Sequence, residues 1–530
     1  MTDQPKKASI WSPLRQSLFR ALWIAAIASN IGAWMQDVGA AWYMTTLAPT
    51  PVMVALVQVA SRLPMFLFAL PAGALADVVD RRRLLLITQS WMLTAAAILG
   101  VLTLAGVTTP WILLTFTFLL GLGAALSGPA WQAIVPELVP QSDMPSAVAL
   151  NSVGINISRA VGPALGGIII SLSSPGVVFI LNAVTFVGVL IVLYKWRRTP
   201  VERALPTERF FGAMKAGVRY VRRSPDLRAV FVRTGIFIFF GSVLWALLPL
   251  VAKNDLRSGP AGYGILLGFF GTGAVIGATL LSRLKSRFSL DTLVTGATII
   301  FAATIFALAF THIFAIVCAL MVLGGACWLS LLSSFNVAAQ AGAPSWVRAR
   351  ALSVYLLFLF GGLAMGSAFW GILANHVGIS MALIIAAFGM IGGIFIRGRY
   401  HLISGEGLDL TPSMHWPAPK VVEETDLRYD QGPVLVMVEF RILPEKAHEF
   451  SNIMNKVSKT RLRDGAIRWN LFRDTADPGR FVETFIVESW IEHLRQHERV
   501  TVSDRYLLKE AEGYHIGDEP PVVSHLIANN

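Results

Sequence analysis

GALADVVDRRR, at residues 73–83, lies between two long apolar runs, and a weaker version of it, GATLLSRLKSR, follows at residues 277–287. The same shift along the chain also aligns GPALGG, at 162–167, with GSAFWG, at 366–371. Because one shift aligns two separate segments, the sequence indicates an internal duplication of its apolar part.

The composition is typical of a chain that lies mostly in lipid. Hydrophobic residues make up 55% of the 530 residues and charged residues only 14%, and the mean hydropathy is +0.61. A helix needs about 20 mostly apolar residues to cross a bilayer, where its backbone groups must be hydrogen-bonded internally. Twelve such runs occur between residues 18 and 397. The sequence therefore predicts an all-α membrane protein with twelve transmembrane helices in two six-helix pseudo-repeats.

The Lys and Arg residues of the short loops predict the orientation of the protein. Basic clusters precede the first and eleventh spans and follow the second, eighth and twelfth, whereas the alternate loops are nearly uncharged. Short cytoplasmic loops retain Lys and Arg, so we expect both termini in the cytoplasm and the protein in a bacterial plasma membrane. This topology explains the net charge of +12, and no nucleic acid is expected as a partner.

Changes in composition divide the chain into five parts. The two six-helix bundles are predicted at 1–195 and 229–399, a basic cytoplasmic linker at 196–228, a second linker at 400–430 and a soluble domain at 431–530. In the basic linker, ERFFGAMKAGVRYVRR has apolar residues at helical spacing, so we expect an amphipathic helix on the inner membrane surface. These apolar residues are Phe210, Phe211, Met214, Val218 and Val221.

Beyond residue 430 the chain alternates between strand-like and helix-like patterns. The order is β-α-β-β-α-β, in which 491–514 is predicted as one helix, and it predicts a small ferredoxin-like α+β domain.

Cys318 and Cys327 lie nine residues apart in one apolar helix, too far for a disulfide, with no His nearby. Neither a metal site nor a cofactor is predicted.

These features resemble the major facilitator superfamily over residues 10–400, and in particular its bacterial exporter branch that includes the enterobactin exporter. The loop after the second span is similar to the signature loop of that superfamily. The residues at matching positions are Gly73, Asp77, Arg81 and Arg82, and Asp80 stands where many members have glycine. The resemblance implies a cytoplasmic charge lock that breaks when the transporter opens inward, since such pairs can exchange between two rigid arrangements. The arginines also fix the topology.

The fifth predicted span carries a second motif, NSVGINISRAVGPALGG, at 151–167. It resembles the antiporter motif of exporters in the superfamily, which implies export. The residues at matching positions are Gly162, Pro163, Gly166 and Gly167. Glycines let helices approach closely and a proline can bend a helix, so close packing without a directional role explains the same residues.

Ionisable side chains within spans mark candidate pathway positions, because they are costly in hydrocarbon unless paired or hydrated. Asp37 is predicted either to bind and release a proton or to attract a cationic substrate, and the alternatives are a structural ion pair with Arg62 and a position near the outer rim. Arg159 is predicted to hold an anionic substrate, to reach towards the inner membrane surface or to donate hydrogen bonds to carbonyls at a helix end. A polar cavity is expected around them, and further candidates for it are Gln36, Gln58, Gln132, Asn151, Asn156, Asn336, Gln340, Trp34, Trp131, Phe237, Phe239 and Trp245.

The interpretation favoured by these features is a secondary active exporter of a small amphipathic molecule, a siderophore or a drug, that works by alternating access and proton exchange. The sequence has no GxxxxGK[ST] phosphate-binding loop, which argues against direct use of ATP. The expected partners are the lipid bilayer, the small-molecule substrate and protons. An importer of the same architecture is an alternative.

The soluble domain resembles the antibiotic-biosynthesis-monooxygenase-like group of dimeric α+β barrels, mainly at FVETFIVESW and His497. Haem-cleaving members have an Asn on the first strand, which VLVMVEFRI lacks. We therefore expect a regulatory domain or one that self-associates, because a fold alone does not confer activity. The alternative is a bifunctional transporter with a catalytic tail, whose candidate pocket residues are Trp469, Asn470, Trp490, His493, His497 and Tyr506.

Overall fold

The structure, a computed structural model, describes residues 11–196, 210–402, 409–411, 413, 431–517 and 519–528. The chain divides into two units. The first unit comprises Met1–Pro206, Phe231–Asn336 and Tyr355–His401, and the second comprises Thr207–Val230, Val337–Val354 and Leu402–Asn530. The second unit thus joins the predicted soluble domain to one segment around the basic linker and to one segment from within the second predicted bundle.

Twelve helices among the described residues are long and apolar enough to cross a membrane, which confirms the twelve predicted spans. The first bundle consists of α1 (Ser17–Leu47), α2 (Pro51–Val78), α3 (Arg81–Leu104), α4 (Pro110–Leu138), α5 (Met144–Leu172) and α6 (Pro175–Lys195). A further helix, α7 (Phe210–Arg223), precedes the second bundle. The second bundle consists of α8 (Pro225–Leu250), α9 (Pro260–Lys285), α10 (Leu290–Leu308), α11 (Phe314–Ala341), α12 (Arg348–Val377) and α13 (Ile379–Ile394).

Several of these helices begin at a residue pair that favours a helix start. Thr50 and Thr109 each precede a proline, and their side chains accept hydrogen bonds from the backbone N–H groups of Met53 and Ile112. Such caps satisfy donors that the first helical turn leaves unpaired, and proline at the first helical position lacks a donor to satisfy. The chain therefore turns abruptly into α2 and α4 after very short loops.

The two bundles approach closely where α5 meets α9. A Cβ atom on Gly167 would lie 2.4 Å from the carbonyl oxygen of Pro260 and 2.9 Å from Cα of Gly264, and a Cβ atom on Gly264 would lie 2.4 Å from the carbonyl oxygen of Pro163. Only glycine fits at positions 167 and 264 without moving the backbone. Small residues of this kind allow helices to pack backbone against backbone in lipid.

The soluble domain follows the predicted β-α-β-β-α-β order, except that two helices stand in the place of the second predicted one. Its strands are β1 (Val434–Arg441), β2 (Arg468–Arg473), β3 (Arg480–Val487) and β4 (Val522–Ile527), and its helices are α14 (Ala447–Asp464), α15 (Trp490–Arg499) and α16 (Val502–Glu512). The sheet is antiparallel, with the strand order β2-β3-β1-β4. This order is that of a ferredoxin-like domain and confirms the predicted fold class.

The prediction of a single helix over 491–514 is wrong. The chain is extended at Val500 and Thr501 and then starts α16, because Thr501 and Asp504 form a capping box in which each side chain accepts a backbone N–H of the other residue. A capping box stabilises the start of a new helix, because its two side chains accept hydrogen bonds from backbone N–H groups that would otherwise be unpaired.

The amphipathic helix predicted in the basic linker is α7, and it belongs to the second unit. Side chains are described from Gly217 onward, so Phe210, Phe211 and Met214 lie outside the described side chains. Tyr220 and Val221 are buried, whereas Val218 is 41% exposed. The buried end of α7 packs against α14 of the soluble domain, so protein covers this part of the helix.

Candidate functional site

A cavity of about 620 Å³ lies inside the first bundle. Among the residues that the structure describes, every lining residue except Phe360 comes from α1 to α6. Its wall combines apolar and aromatic side chains, such as Trp23, Trp131 and Phe186, with polar ones. A cavity of this size and mixed character fits one drug-sized molecule.

Asp37 of α1 and Arg62 of α2 form an ion pair on the cavity wall. Nη2 of Arg62 donates to Oδ2 of Asp37 at 3.3 Å. The two side chains remain 35% and 26% exposed, so the pair is accessible from the cavity. The structure therefore brings together the two charged residues that the sequence singled out in the first two spans.

Three amide side chains of the cavity wall have buried atoms without a hydrogen-bond partner among the described residues. Nε2 of Gln36, Oε1 of Gln89 and Oδ1 of Asn182 are buried without a hydrogen-bond partner among the described residues, and all three residues line the cavity. Nδ2 of Asn182 donates to Oε1 of Gln36 at 3.4 Å. Unpaired buried polar atoms are costly, and a bound molecule with donors and acceptors would satisfy them. Sequence reasoning missed Gln89 and Asn182, although an amide inside an apolar span was a usable signal.

Arg159 and Asn156 of α5 do not belong to the residues that line the cavity. The guanidinium of Arg159 lies 5.9 Å from the ring centroid of Trp34, in a cation–π arrangement. Nδ2 of Asn156 donates to the carbonyl of Ser152, one turn earlier in the same helix. Gln36, Gln132, Asn151 and Trp131 from the predicted set do line the cavity.

The aromatic candidates from the second bundle pack against one another. Phe237 and Trp245 both contact Trp328, with ring centroids 5.3 and 5.7 Å apart. Phe239 packs on Trp370, whose indole N–H donates to the Phe239 carbonyl at 2.7 Å. These rings fill the interior of the second bundle and do not line the cavity.

The charged loop between α2 and α3 is tied to the ends of neighbouring helices. Arg81 donates to Oε1 of Glu137 at 2.7 Å and to the Ala133 carbonyl at 3.1 Å, both in α4. Arg82 donates to the carbonyls of Leu193 and Tyr194 at the end of α6. A cation at these carbonyls is favourable because the C-terminus of a helix carries partial negative charge. Glu137 was not predicted as a partner.

The other residues of the signature motif, Gly73, Asp77 and Asp80, lie at the end of α2 and just before α3. Asp80 caps α3, because its side chain accepts the backbone N–H of Arg83 at 2.9 Å. A Cβ atom on Gly73 would meet no described atom within 4 Å, so the described residues give no steric reason for glycine there. Asp77 lies in α2, but its side chain is outside the described part of the structure. The predicted charge lock through Asp77 stays a prediction.

The second bundle has its own buried charge cluster at the start of α10. Arg233 of α8 and Arg397, just beyond α13, both pair with Asp291. Arg233 also lies 3.4 Å from the Thr295 hydroxyl. Asp291 therefore joins three segments of the second bundle, and sequence reasoning did not identify it.

The glycine motif of α5 is a packing surface in this structure. A Cβ atom on Gly162 would lie 2.6 Å from Cβ of Trp34, and one on Gly166 would lie 2.9 Å from Cα of Met35. Gly167 faces α9 instead, as described above, and Pro163 lies within the continuous helix. The motif thus lets α5 pack closely against both α1 and α9.

In the second unit, the soluble domain packs on α7 and on the segment before α12 through a group of charged and aromatic side chains, here called the docking cluster. It consists of Arg219, Tyr220, Trp346, Arg463, Glu492 and Arg499. Glu492 accepts hydrogen bonds from Arg219 at 2.9 Å and from Arg499 at 2.6 Å. The Arg499 guanidinium lies 4.6 Å from the Trp346 ring centroid, and that of Arg463 lies 5.1 Å from that of Tyr220.

The electrostatics of the docking cluster favour a charged Glu492. Burial acts to raise the pKa of this carboxyl, but the hydrogen bonds and charges of Arg499 and Arg219 outweigh burial and bring the pKa below its usual value. The carboxylate thus stays ionised at neutral pH and holds both arginines. Sequence reasoning missed this arrangement, because its members are far apart in the chain.

The predicted pocket residues of the soluble domain are only partly brought together. Trp490 and His493 lie side by side, with ring centroids 5.5 Å apart, and His497 is next to His493. Nε1 of Trp469 instead donates to the buried carboxylate of Glu483 at 2.8 Å, and Tyr506 is 71% exposed. Burial, followed by the neighbouring charges of His497, His525 and Arg461, lowers the pKa of His493 to about 3.

Comparison with known proteins agrees with this architecture. The chain is 28% identical to the staphyloferrin A transporter of Staphylococcus aureus over 260 residues, which is 48% of this chain and 64% of that protein. It is 23% identical to macrolide efflux protein A of Streptococcus pyogenes over 273 residues, 50% of this chain and 65% of that protein. The chain thus spans slightly less than two thirds of the length of these two relatives. With the enterobactin exporter EntS of Salmonella typhimurium, identity is 27% over 60% of this chain and 75% of that protein.

Solved structures share the fold at low sequence identity. A bacterial homologue of the human lysosomal transporter Spinster, in an inward-facing conformation, matches 73% of this chain and 98% of its own with a TM-score of 0.58 and 14% identity. The nucleoside transporter NupG matches 73% of this chain and all of its own with a TM-score of 0.56 and 14% identity. A family model described as MFS_3, transmembrane secretion effector, matches residues 8–530. The chain is therefore a multi-pass membrane protein that belongs to the transmembrane secretion effector family of the major facilitator superfamily.

Proposed function

We propose that this protein exports a small amphipathic molecule, of the siderophore or drug kind, by alternating access and in exchange for protons. The observation that carries the proposal is the cavity of about 620 Å³, whose wall combines an accessible ion pair with unpaired amide atoms and aromatic rings. Such a wall can hold a molecule that is partly apolar and partly polar. The names of the relatives, which include a siderophore transporter, a siderophore exporter and a macrolide efflux protein, support the same substrate class.

Proton exchange is assigned to Asp37. When its carboxylate is charged, it holds Arg62 at 3.3 Å, and protonation would release the arginine. A group that changes partner with its charge state can favour one of two conformations of a transporter. The released Arg62 would then be available to an anionic group of the substrate, so that proton and substrate compete for the same pair.

The orientation in this proposal is that of the sequence pattern, with both termini in the cytoplasm of a bacterial cell. The start of α3, the end of α9 and the start of α12 carry Arg or Lys, and cytoplasmic loops and the helix ends beside them are rich in these residues. The soluble domain would then lie in the cytoplasm, where it can regulate transport through the docking cluster.

The test is efflux of a panel of dyes, macrolides and catecholate siderophores from cells that express wild type, Asp37→Asn or a control. The control is Glu445→Gln, which makes the same carboxyl-to-amide change at an exposed position of the soluble domain. We expect uncoupler-sensitive efflux in wild type and control and its loss in Asp37→Asn. Efflux that persists in Asp37→Asn and with uncoupler would refute proton exchange through Asp37.

The direction of transport is tested separately in membrane vesicles of both orientations. A proton-exchanging exporter accumulates the substrate in vesicles of either orientation when their interior is the more acidic side, because protons leave as the substrate enters. Accumulation only when the medium is the more acidic side would show proton symport and identify the protein as an importer.

Self-association through the soluble domain is part of the proposal. The register of the sheet places Leu435 beside Ile486 and Leu526 on the face that points away from the helices. Leu526 is 52% exposed, and the same face of a second copy, related by a two-fold axis, would cover this apolar patch. Cross-linking of the full chain in membranes should trap a dimer in wild type and much less in Leu526→Glu. Equal dimer yields would contradict this mode of pairing.

A further inference from the structure

Three histidines of the second unit converge on one point. His493 and His497 are one turn apart on α15, and His525 lies on β4. One nitrogen atom from each ring lies within 4.8 Å of the others. Nε2 of His493 and Nε2 of His497 are 3.2 Å apart, and the ring centroids of His493 and His525 are 4.7 Å apart.

These separations suit a shared metal ion. Zinc binds histidine nitrogen at about 2.0–2.1 Å in tetrahedral geometry, which places two ligand nitrogens about 3.3–3.4 Å apart. The observed 3.2 Å between the α15 histidines is close to this value. We propose that His493, His497 and His525 form a binding site for one divalent transition-metal ion of the zinc class.

The fold holds the three rings on regular secondary structure. Spacing of four residues puts two histidines on the same face of a helix, as in other helical zinc sites. His525 pairs in the sheet with Val436, which is buried on the helix-covered face, so its side chain points towards α15. The ligands thus come from one helix and one strand of the same unit, which fixes their spacing before any metal binds.

The donor set indicates which ions would bind. Three imidazoles suit zinc, copper, iron and nickel, whereas magnesium and calcium prefer oxygen ligands. His493 is fully buried, but His497 and His525 are only half-buried, so solvent can reach the open side. A site with three protein ligands leaves the fourth position to water or another small ligand.

Polar atoms around the site fit a bound metal. Nδ1 of His493 and both amide atoms of Gln496 are buried without a hydrogen-bond partner among the described residues. Metal on Nε2 leaves Nδ1 as an N–H donor, and the neighbouring Gln496 can accept this hydrogen and fix the ring, as outer ligands do in known sites. The charge of nearby Arg461 is offset, because its guanidinium pairs with Glu483 at 3.0 and 3.2 Å.

The competing explanation is a hydrogen bond between His493 and His497 with no metal. The test therefore measures metal binding directly, with the untagged full chain purified in detergent and stripped by a chelator. Zn²⁺ binding is followed by equilibrium dialysis with elemental analysis, and Co²⁺ binding by visible absorption. The variants are His497→Gln and His525→Gln, which change half-buried positions, and the control is His448→Gln, which changes an exposed histidine of α14.

We expect one equivalent of Zn²⁺ in wild type and control, and an affinity at least about tenfold lower in each variant. Zn²⁺ should also raise the unfolding temperature of wild type and control but not that of the variants, because a ligand stabilises only the form that binds it. Unchanged Zn²⁺ affinity in both variants, or no binding by wild type, would overturn the site. Unfolding temperatures without metal show whether each variant is folded, so that lost binding is not mistaken for lost structure.

Discussion

The two bundles are repeats of one six-helix arrangement, but their interiors differ. The first bundle holds the cavity of about 620 Å³, whereas in the second bundle Trp328 packs against Phe237, Phe270 and Phe301. Duplication thus determines the number and order of helices, while side-chain volume decides which repeat stays open.

The largest expected effect comes from the buried charge cluster of the second bundle. Asp291→Asn leaves Arg233, whose side chain is 8% exposed, without its counter-charge, and loss of one partner of a buried pair costs about 3–5 kcal/mol. The measurement is the free energy of unfolding in detergent. Glu137→Gln in the first bundle is the matched variant, and we expect a smaller loss because Arg81 is 20% exposed and keeps the Ala133 carbonyl. Equal losses would contradict the difference between the bundles.

The next effect concerns the aromatic interior. Trp328→Ala should destabilise the protein by about 3 kcal/mol or more, since it removes packing contacts with several aromatic rings and leaves a void. Trp131→Ala, in the wall of the existing cavity, should cost much less because one side of this ring already faces open space. Thermal unfolding of both variants checks the prediction. A larger loss of stability for Trp131→Ala than for Trp328→Ala would contradict the tighter packing of the second bundle.

A smaller effect is expected where the bundles are alike. Asp80 caps α3 and Ser289 caps α10, each by accepting the backbone N–H three residues later. Replacement of either residue by Ala should lower the free energy of unfolding by about 1 kcal/mol. Denaturant titration of the two variants should give similar values, whereas a loss at only one position would show that these loops are not equivalent.

The smallest effect on stability is expected at the cavity wall. Gln89→Leu removes a buried oxygen that has no hydrogen-bond partner among the described residues, so stability should stay within about 0.5 kcal/mol of wild type. Efflux rates should nevertheless change in their ratio between polar and apolar substrates, because the wall loses one acceptor. A variant that is destabilised but keeps its ratio of efflux rates would show that Gln89 contributes to stability and not to substrate binding.

The features of the fold that depend on hydropathy and on local sequence pattern could be predicted from the sequence. Twelve apolar runs gave the twelve spans, and strand and helix periodicity gave the α+β order of the soluble domain. The break at Val500 and Thr501 was missed although the capping pair Thr501 and Asp504 was visible in the sequence. A capping box can be read from the sequence, because its two residues lie within one helical turn of each other.

The site could be predicted only in part, because sequence does not give the rotation of a helix about its axis. Asp37 and Arg62 were paired on the basis of depth alone, and the structure joins them at 3.3 Å. Arg159 and Asn156 were expected at the cavity, but they do not belong to its lining. Gln89, Asn182, Asp291 and His525 act with residues distant in the chain, so no spacing rule identifies them.

The confinement of the cavity to one repeat has a consequence for how such proteins diversify. Since α1 to α6 supply every described lining residue except Phe360, the substrate range of the proposed site would change through substitutions in one repeat. The other repeat can then conserve its packing while the first one varies. A chimera that exchanges the first bundle between two family members should carry the substrate range of the donor.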